Sequence, residues 1–178
     1  MDFWGPGPLK TIDTLGERPT RPNSAALYYA VICGFSGLAN YLVITRAEDV
    51  NAECFSGRTA LIAASYLGLF DIAHLLLQNN ADVNASNVDD WTLLHYSSES
   101  GQARVAQLLL QHGAHVDAKT TSYATPLYRA SQRGHLEVIK VLLEHGADVH
   151  IRSRDDWTPF QVATWSGHAE VRKLRSCC

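Results

Sequence analysis

The sequence predicts an all-α solenoid of stacked helix-turn-helix units joined by short hairpin-like turns. Three observations carry that expectation. The first is a fixed period: Thr59, Thr92, Thr125 and Thr158 follow one another at 33-residue intervals, and a period in that range marks a repeat architecture. The second is a glycine at constant register, Gly68, Gly101, Gly134 and Gly167, between two apolar stretches. The third is a helical apolar block after each glycine but the last: Leu75-Leu76-Leu77, Leu108-Leu109-Leu110 and Val141-Leu142-Leu143. The same register links Leu61, Leu94, Leu127 and Phe160, and Ala64, Ser97, Ala130 and Ala163.

Residues 1–22 come first, an irregular leader with Pro6, Pro8, Pro19 and Pro22, expected to pack over the first repeat through Phe3 and Trp4. The repeat domain is expected over 23–178, with repeats at about 23–52, 53–85, 86–118, 119–151 and 152–178. The first copy is looser: it runs through Leu27, Ala30, Gly34, Val50 and Asn51, and Ala25 precedes Thr59 by 34 residues. In the others the threonine hydroxyl can cap a first helix, and Pro126 and Pro159 take the first helical position, where a missing N–H costs nothing. Thr158 with Gln161 has the spacing of a capping box. The glycine then ends the helix in the left-handed conformation, and a second helix carries the leucines. The fifth copy places Arg172, Arg175 and Ser176 where earlier copies are apolar, which suits a polar end cap.

Thr125-Pro126-Leu127-Tyr128-Arg129-Ala130, Gly134-His135-Leu136-Glu137-Val138 and Gly146-Ala147-Asp148-Val149 closely resemble the ankyrin repeat, and five registered copies make the likeness specific. The resemblance implies an ankyrin-repeat solenoid acting as a non-catalytic protein-interaction module. It also implies a bracing hydrogen-bond role for His95, the one surviving histidine of the T-P-L-H motif. Asp90 and Asp156 stand where ankyrins place a turn glycine, and aspartate tolerates the left-handed region. Tyr123 stands there in the fourth repeat, a departure that puts that turn in question. Asn51 and Asn84 hold a position that asparagine hydroxylases modify in some ankyrin proteins. The leader and first repeat also resemble the repeat region of large fungal NACHT-ankyrin proteins, in which the array serves a nucleotide-hydrolysing domain as sensor or scaffold.

Composition excludes several other classes. A net charge of −3 gives no basic field for nucleic acid. Cys33, Cys54, Cys177 and Cys178 lack paired zinc spacings, so a reduced intracellular, cytoplasmic setting is expected. The 24 uncharged residues between Arg21 and Arg46 are long enough to span a bilayer, but Pro22, Asn23, Gly34, Gly37 and Asn40 and the repeat register argue against a span. No phosphate loop, nucleophile elbow or zinc-helix motif is present. The eight histidines fall on repeat positions: His135 and His168 follow the glycine, and His112 and His145 end second helices. Asp89-Asp90 and Asp155-Asp156 recur before Trp-Thr, as turns rather than acid-base pairs. No enzyme activity, cofactor or metal is expected, and the protein is expected to be a monomer.

The family binds partners through turn tips and the exposed side of the first helices. By position those are Phe55, Arg58, Tyr66, Leu67, Trp91, Glu99, Gln132, Arg133, Trp157 and Trp165, the expected contacts with a protein partner; for Trp91 and Trp157 the alternative is packing on the adjacent turn, since a Trp before the Thr is common in the family. Trp, Tyr and Arg dominate the centres of protein interfaces. The end, Arg172-Lys173-Leu174-Arg175-Ser176-Cys177-Cys178, resembles doubly lipidated termini and implies, as the alternative, an adaptor tethered to a membrane at Cys177 and Cys178.

Overall fold

The computed structural model describes residues 24–45, 49–54 and 57–174. The expected leader 1–22, Phe55 and the Cys177-Cys178 pair lie outside them. Among the described residues the secondary structure is helical: α1 (Ser24–Ile32), α2 (Ser36–Asn40), α3 (Ala60–Leu67), α4 (Phe70–Gln78), α5 (Leu93–Glu99), α6 (Ala103–Gln111), α7 (Pro126–Arg133), α8 (Leu136–Glu144), α9 (Pro159–Trp165) and α10 (Ala169–Leu174). Odd-numbered helices stack on odd-numbered helices, α1 on α3 through to α7 on α9. Among the even-numbered ones, α2 packs on α4, α4 on α6 and α6 on α8. Two layers of helices therefore run side by side along the array, the ankyrin solenoid that the period predicts.

The helix boundaries are where the repeated residues place them. Thr59, Thr125 and Thr158 sit in extended backbone, and their hydroxyls accept from the N–H groups of Ile62 (3.3 Å), Tyr128 (3.2 Å) and Gln161 (3.4 Å). Gln161 Oε1 answers by accepting from the Thr158 N–H at 2.9 Å, completing the capping box. Gly68, Gly101, Gly134 and Gly167 all have φ between 73° and 82°. Behind each, the next N–H reaches back to the carbonyl of the small buried residue: Leu69 to Ala64, Gln102 to Ser97, His135 to Ala130 and His168 to Ala163, at 2.8–3.0 Å. This is the left-handed helix stop. The leucine-rich helices end the same way at Asn80, Gly113 and Gly146, after which Ala81, Ala114 and Ala147 bond back to Leu76, Leu109 and Leu142 at 3.0 Å.

The core follows the register. Leu61, Leu94 and Leu127 from the first helices meet Leu76, Leu109 and Leu142 from the second, all fully buried. Between them lie Ala64, Ser97, Ala130 and Ala163, whose small size lets the helices approach. Ser97 keeps that place because its hydroxyl donates to the Leu94 carbonyl at 3.1 Å, so no polar atom is stranded there. The first repeat deviates: α2 passes into a π-helical stretch, Tyr41–Thr45. Val43, Ile44 and Thr45 are consecutive β-branched residues, which lose χ1 freedom in an α-helix, where the other repeats carry Leu-Gln-Asn, Leu-Gln-His and Leu-Glu-His.

Candidate functional site

The threonine turns build one edge of the array. Each closes on a residue with positive φ: Gly57 (73°), Asp90 (59°), Tyr123 (59°) and Asp156 (63°). Tyr123 thus takes the left-handed conformation despite its ring, and the departure in repeat four leaves the turn intact. Thr120 bonds to the Ala124 carbonyl at 3.1 Å and Tyr123 to that of Thr120 at 2.8 Å, as Asn87 does to Trp91 and Asp90 to Asn87. Ser86 and Thr92 make an antiparallel bridge, the hairpin character that was expected. Successive tips are also joined: the Thr121 N–H donates to the Asp89 carbonyl (3.1 Å) and that of Arg154 to Ser122 (2.9 Å).

The odd-numbered helices stand beside this edge, clasped by histidines. His95 is fully buried. Its Nδ1 accepts from the Thr92 N–H (3.2 Å) and lies 2.8 Å from the Thr92 hydroxyl, while Nε2 sits 3.0 Å from the Ala124 carbonyl of the next repeat. That pattern selects the neutral tautomer protonated at Nε2. Burial lowers the pKa from 6.5 to about 4. His135 and His168 reach back across the stack, Nε2 donating to the carbonyls of Glu99 and Gln132, each at 3.0 Å. His112 and His145 turn Nδ1 onto the Leu108 (2.9 Å) and Val141 (2.8 Å) carbonyls of their own helix ends. Among the described residues no three His, Cys, Asp or Glu side chains come together as a metal site.

The expected contact residues meet different fates. Trp165 on α9 is 74% exposed, with Trp157 edge-on to it at 6.0 Å and half-buried. Leu67 is exposed at the end of α3. Arg133 is ion-paired with Glu99 across the α5–α7 stack, so Glu99 is mostly covered and Arg133 half exposed. Gln132 is partly buried and accepts from Arg129 Nη1 at 3.2 Å. Arg58 is partly buried beside the Tyr28 hydroxyl.

Trp91 is the departure. It is only 6% exposed, packed against Tyr96 (5.5 Å) and His95 (6.0 Å) and covered by the Arg129 guanidinium at 4.5 Å. Its indole braces the turn and has almost no surface to present. Trp157, its equivalent one turn pair later, has Val162 where Trp91 has Tyr96, and it leans on Trp165 instead.

Two residues outside the expected set bind this region together. Tyr96 lies between Tyr66 (6.5 Å, edge-on) and Trp91, and its hydroxyl accepts from Asn87 Nδ2 at 3.0 Å. Burial raises its pKa. Arg129, one position after Tyr128 in the motif, joins Trp91 to Gln132 and has its pKa lowered by burial. Their signal in the sequence was the variable position between the motif histidine and the buried small residue. The resulting face runs from an ordered Tyr66-Tyr96-Trp91-Arg129-Gln132 band to the open Trp157–Trp165 pair.

A family model described as ankyrin repeats in three copies matches residues 10–87 and 27–120. A second, ankyrin repeats in many copies, matches 98–143 and 127–174. No curated protein matches the chain.

Proposed function

The chain belongs to the ankyrin repeat family, whose arrays generally mediate protein–protein interaction without catalysis, and on that premise we propose that it binds a protein partner through the concave face and turn tips. The observation that carries this is Trp165, a large aromatic side chain 74% exposed at the C-terminal end of α9. Its neighbour Trp157 restricts its freedom, which lowers the entropic cost of contact. Leu67 and the Arg133–Glu99 pair add an apolar and a polar contact on the same row of helices. Nucleic acid is not the ligand of this reading, because the net charge is −3.

The test is an affinity capture with two baits, wild type and Trp165→Ala/Leu67→Ser. Neither residue is buried, so both baits should melt alike. A protein retained by wild type and weakened roughly 30-fold or more by the double variant supports the reading, since an interface hot spot contributes about 2 kcal/mol or more. Equal retention moves the site away from this face. Trp91 is left untouched in both baits because its loss would disturb the turn.

The likeness of the first repeat to fungal NACHT-ankyrin arrays supports a sensor or scaffold role for such binding. Four cysteines without paired spacing support a protein of a reducing compartment, and we read it as a monomer. Tethering at Cys177 and Cys178 is the second reading, supported by the basic stretch before them. Among the described residues no helix is long and apolar enough to cross a membrane. Fractionation of wild type and Cys177→Ser/Cys178→Ser separates the two readings: membrane association lost in the variant supports tethering, and an unchanged distribution removes it.

A further inference from the structure

The face of the first repeat that points away from the rest of the array is built as a stacking surface. Register shows this. In the last three repeats the residue after the repeat glycine reaches back onto the preceding repeat: Gln102 lies over Gly68, His135 over Gly101 and His168 over Gly134. In the first repeat that position is Phe35, 59% exposed. Three residues on, Ile72, Val105, Val138 and Val171 are buried in the later repeats, whereas Leu38 is 46% exposed. Three further on, Tyr41, 47% exposed, stands at the place of the buried Leu108 and the partly buried Leu75 and Val141. The opposite side of α2 is accounted for, since Ser36, Gly37 and Asn40 face Asp71, Leu75 and Gln78 of α4 across a cleft of about 430 Å³. Phe35, Leu38 and Tyr41 therefore line a surface with the chemistry of an interior junction.

We propose that residues 1–22 of this chain cover that surface, with Phe3 and Trp4 seated on Phe35, Leu38 and Tyr41. Trp4 stands 20 residues before the start of α1 at Ser24. That length of chain spans up to about 65 Å when extended, while the next helix lies only about 10 Å away. The ankyrin family match begins at residue 10, ahead of α1. Pro6, Pro8, Pro19 and Pro22 exclude a continuous helix pair, and the segment covers the face as a strap rather than as another full repeat. A second copy of the chain is the less favoured occupant, since a local segment is held at high effective concentration.

Hydrogen exchange on the intact chain tests this, comparing wild type with Phe3→Ser/Trp4→Ser, with molar mass measured for both. The expected result is slow exchange over 36–44 in a monomeric wild type, accelerated about tenfold or more in the variant, with α7 to α9 unchanged. Equal exchange over 36–44 in both proteins overturns the proposal. So does a wild-type dimer that Leu38→Asp converts to monomer. Should the double variant lose its fold, benzoylphenylalanine at position 4 replaces it. Crosslinking into 35–44 then supports the strap, and crosslinking elsewhere overturns it. None of these readouts depends on the partner of the concave face.

Discussion

His95 shows how one side chain can serve two repeats. Its Nδ1 belongs to the cap of its own helix and its Nε2 to the Ala124 carbonyl of the next repeat. The Nδ1 contact accepts a proton and so needs the neutral ring, and burial holds the pKa at about 4 against 6.5. The unfolded chain therefore binds the proton more readily between these values, and stability falls as pH drops from 6.5 toward 4, by up to about 1.4 kcal/mol per pH unit. Thermal melts of wild type and His95→Gln should show this: the stability advantage of wild type shrinks through that window and is largest above it. Tyr123 offers an opposite case, since φ of 59° costs a side-chain-bearing residue about 1–2 kcal/mol and its ring is exposed. Tyr123→Gly should raise the denaturation free energy by about 1 kcal/mol, net of the glycine's greater unfolded entropy, whereas Tyr123→Val should lower it.

At the scale of the element, each helix pair is closed by its own caps and then stapled to the next pair. Asn84 is one staple: its Nδ2 donates to the Gly113 carbonyl (3.3 Å) and its Oδ1 accepts from the His115 N–H (3.0 Å). Asn51 does the same with Asn80 and Asp82, at 3.1 and 2.8 Å. In the third repeat Asp117 keeps only the acceptor half, toward the Asp148 N–H at 3.0 Å. Asn84→Ala should cost about 1–2 kcal/mol in a denaturant titration, and Asn84→Asp less, because one of the two bonds survives. The aromatic residues divide by element in the same way. Trp91 is clamped between α5 and α7 through Tyr96 and Arg129, so Trp91→Ala should destabilise by about 3 kcal/mol or more. Trp165→Ala, on the open side of α9, should stay within about 0.5 kcal/mol of wild type in the same titration.

For the molecule as a whole, stability is shared between neighbours, because no helix pair buries its apolar faces alone. The interior junctions carry the fully buried Leu76, Leu94, Leu109, Leu127 and Leu142. The first repeat instead has a shortened α2 and a π-helical stretch, and α10 at the other end has no following repeat helix packed on it among the described residues. Amide exchange should therefore be slowest in α5 to α8 and faster toward both ends of the array. Leu109→Ala should lower stability by about 2–5 kcal/mol. The proposed partner surface, by contrast, is the row of helix ends and tips that the stacking leaves uncovered.

Much of this was legible in the residues themselves. A 33-residue period with Thr, Gly and Leu at fixed register dictates the helix starts, the left-handed stops and the buried leucines, because each is a local rule repeated four or five times. The bracing role of His95 and the turns at Asp90 and Asp156 followed from position in the same way. Side-chain fate at equivalent positions did not. Trp91 and Trp157 share one local sequence, Asp-Asp-Trp-Thr, yet one is covered and the other rests on an exposed tryptophan. The difference lies in what stands nearby in space: Tyr96 and Arg129 around the first, Val162 and Trp165 around the second. Repetition alone determined the backbone of this protein, since capping and helix stops are set by near neighbours in the chain. Which aromatic residues stay free to meet a partner was decided only by the tertiary structure, since burial depends on the side chains that the adjoining repeat supplies.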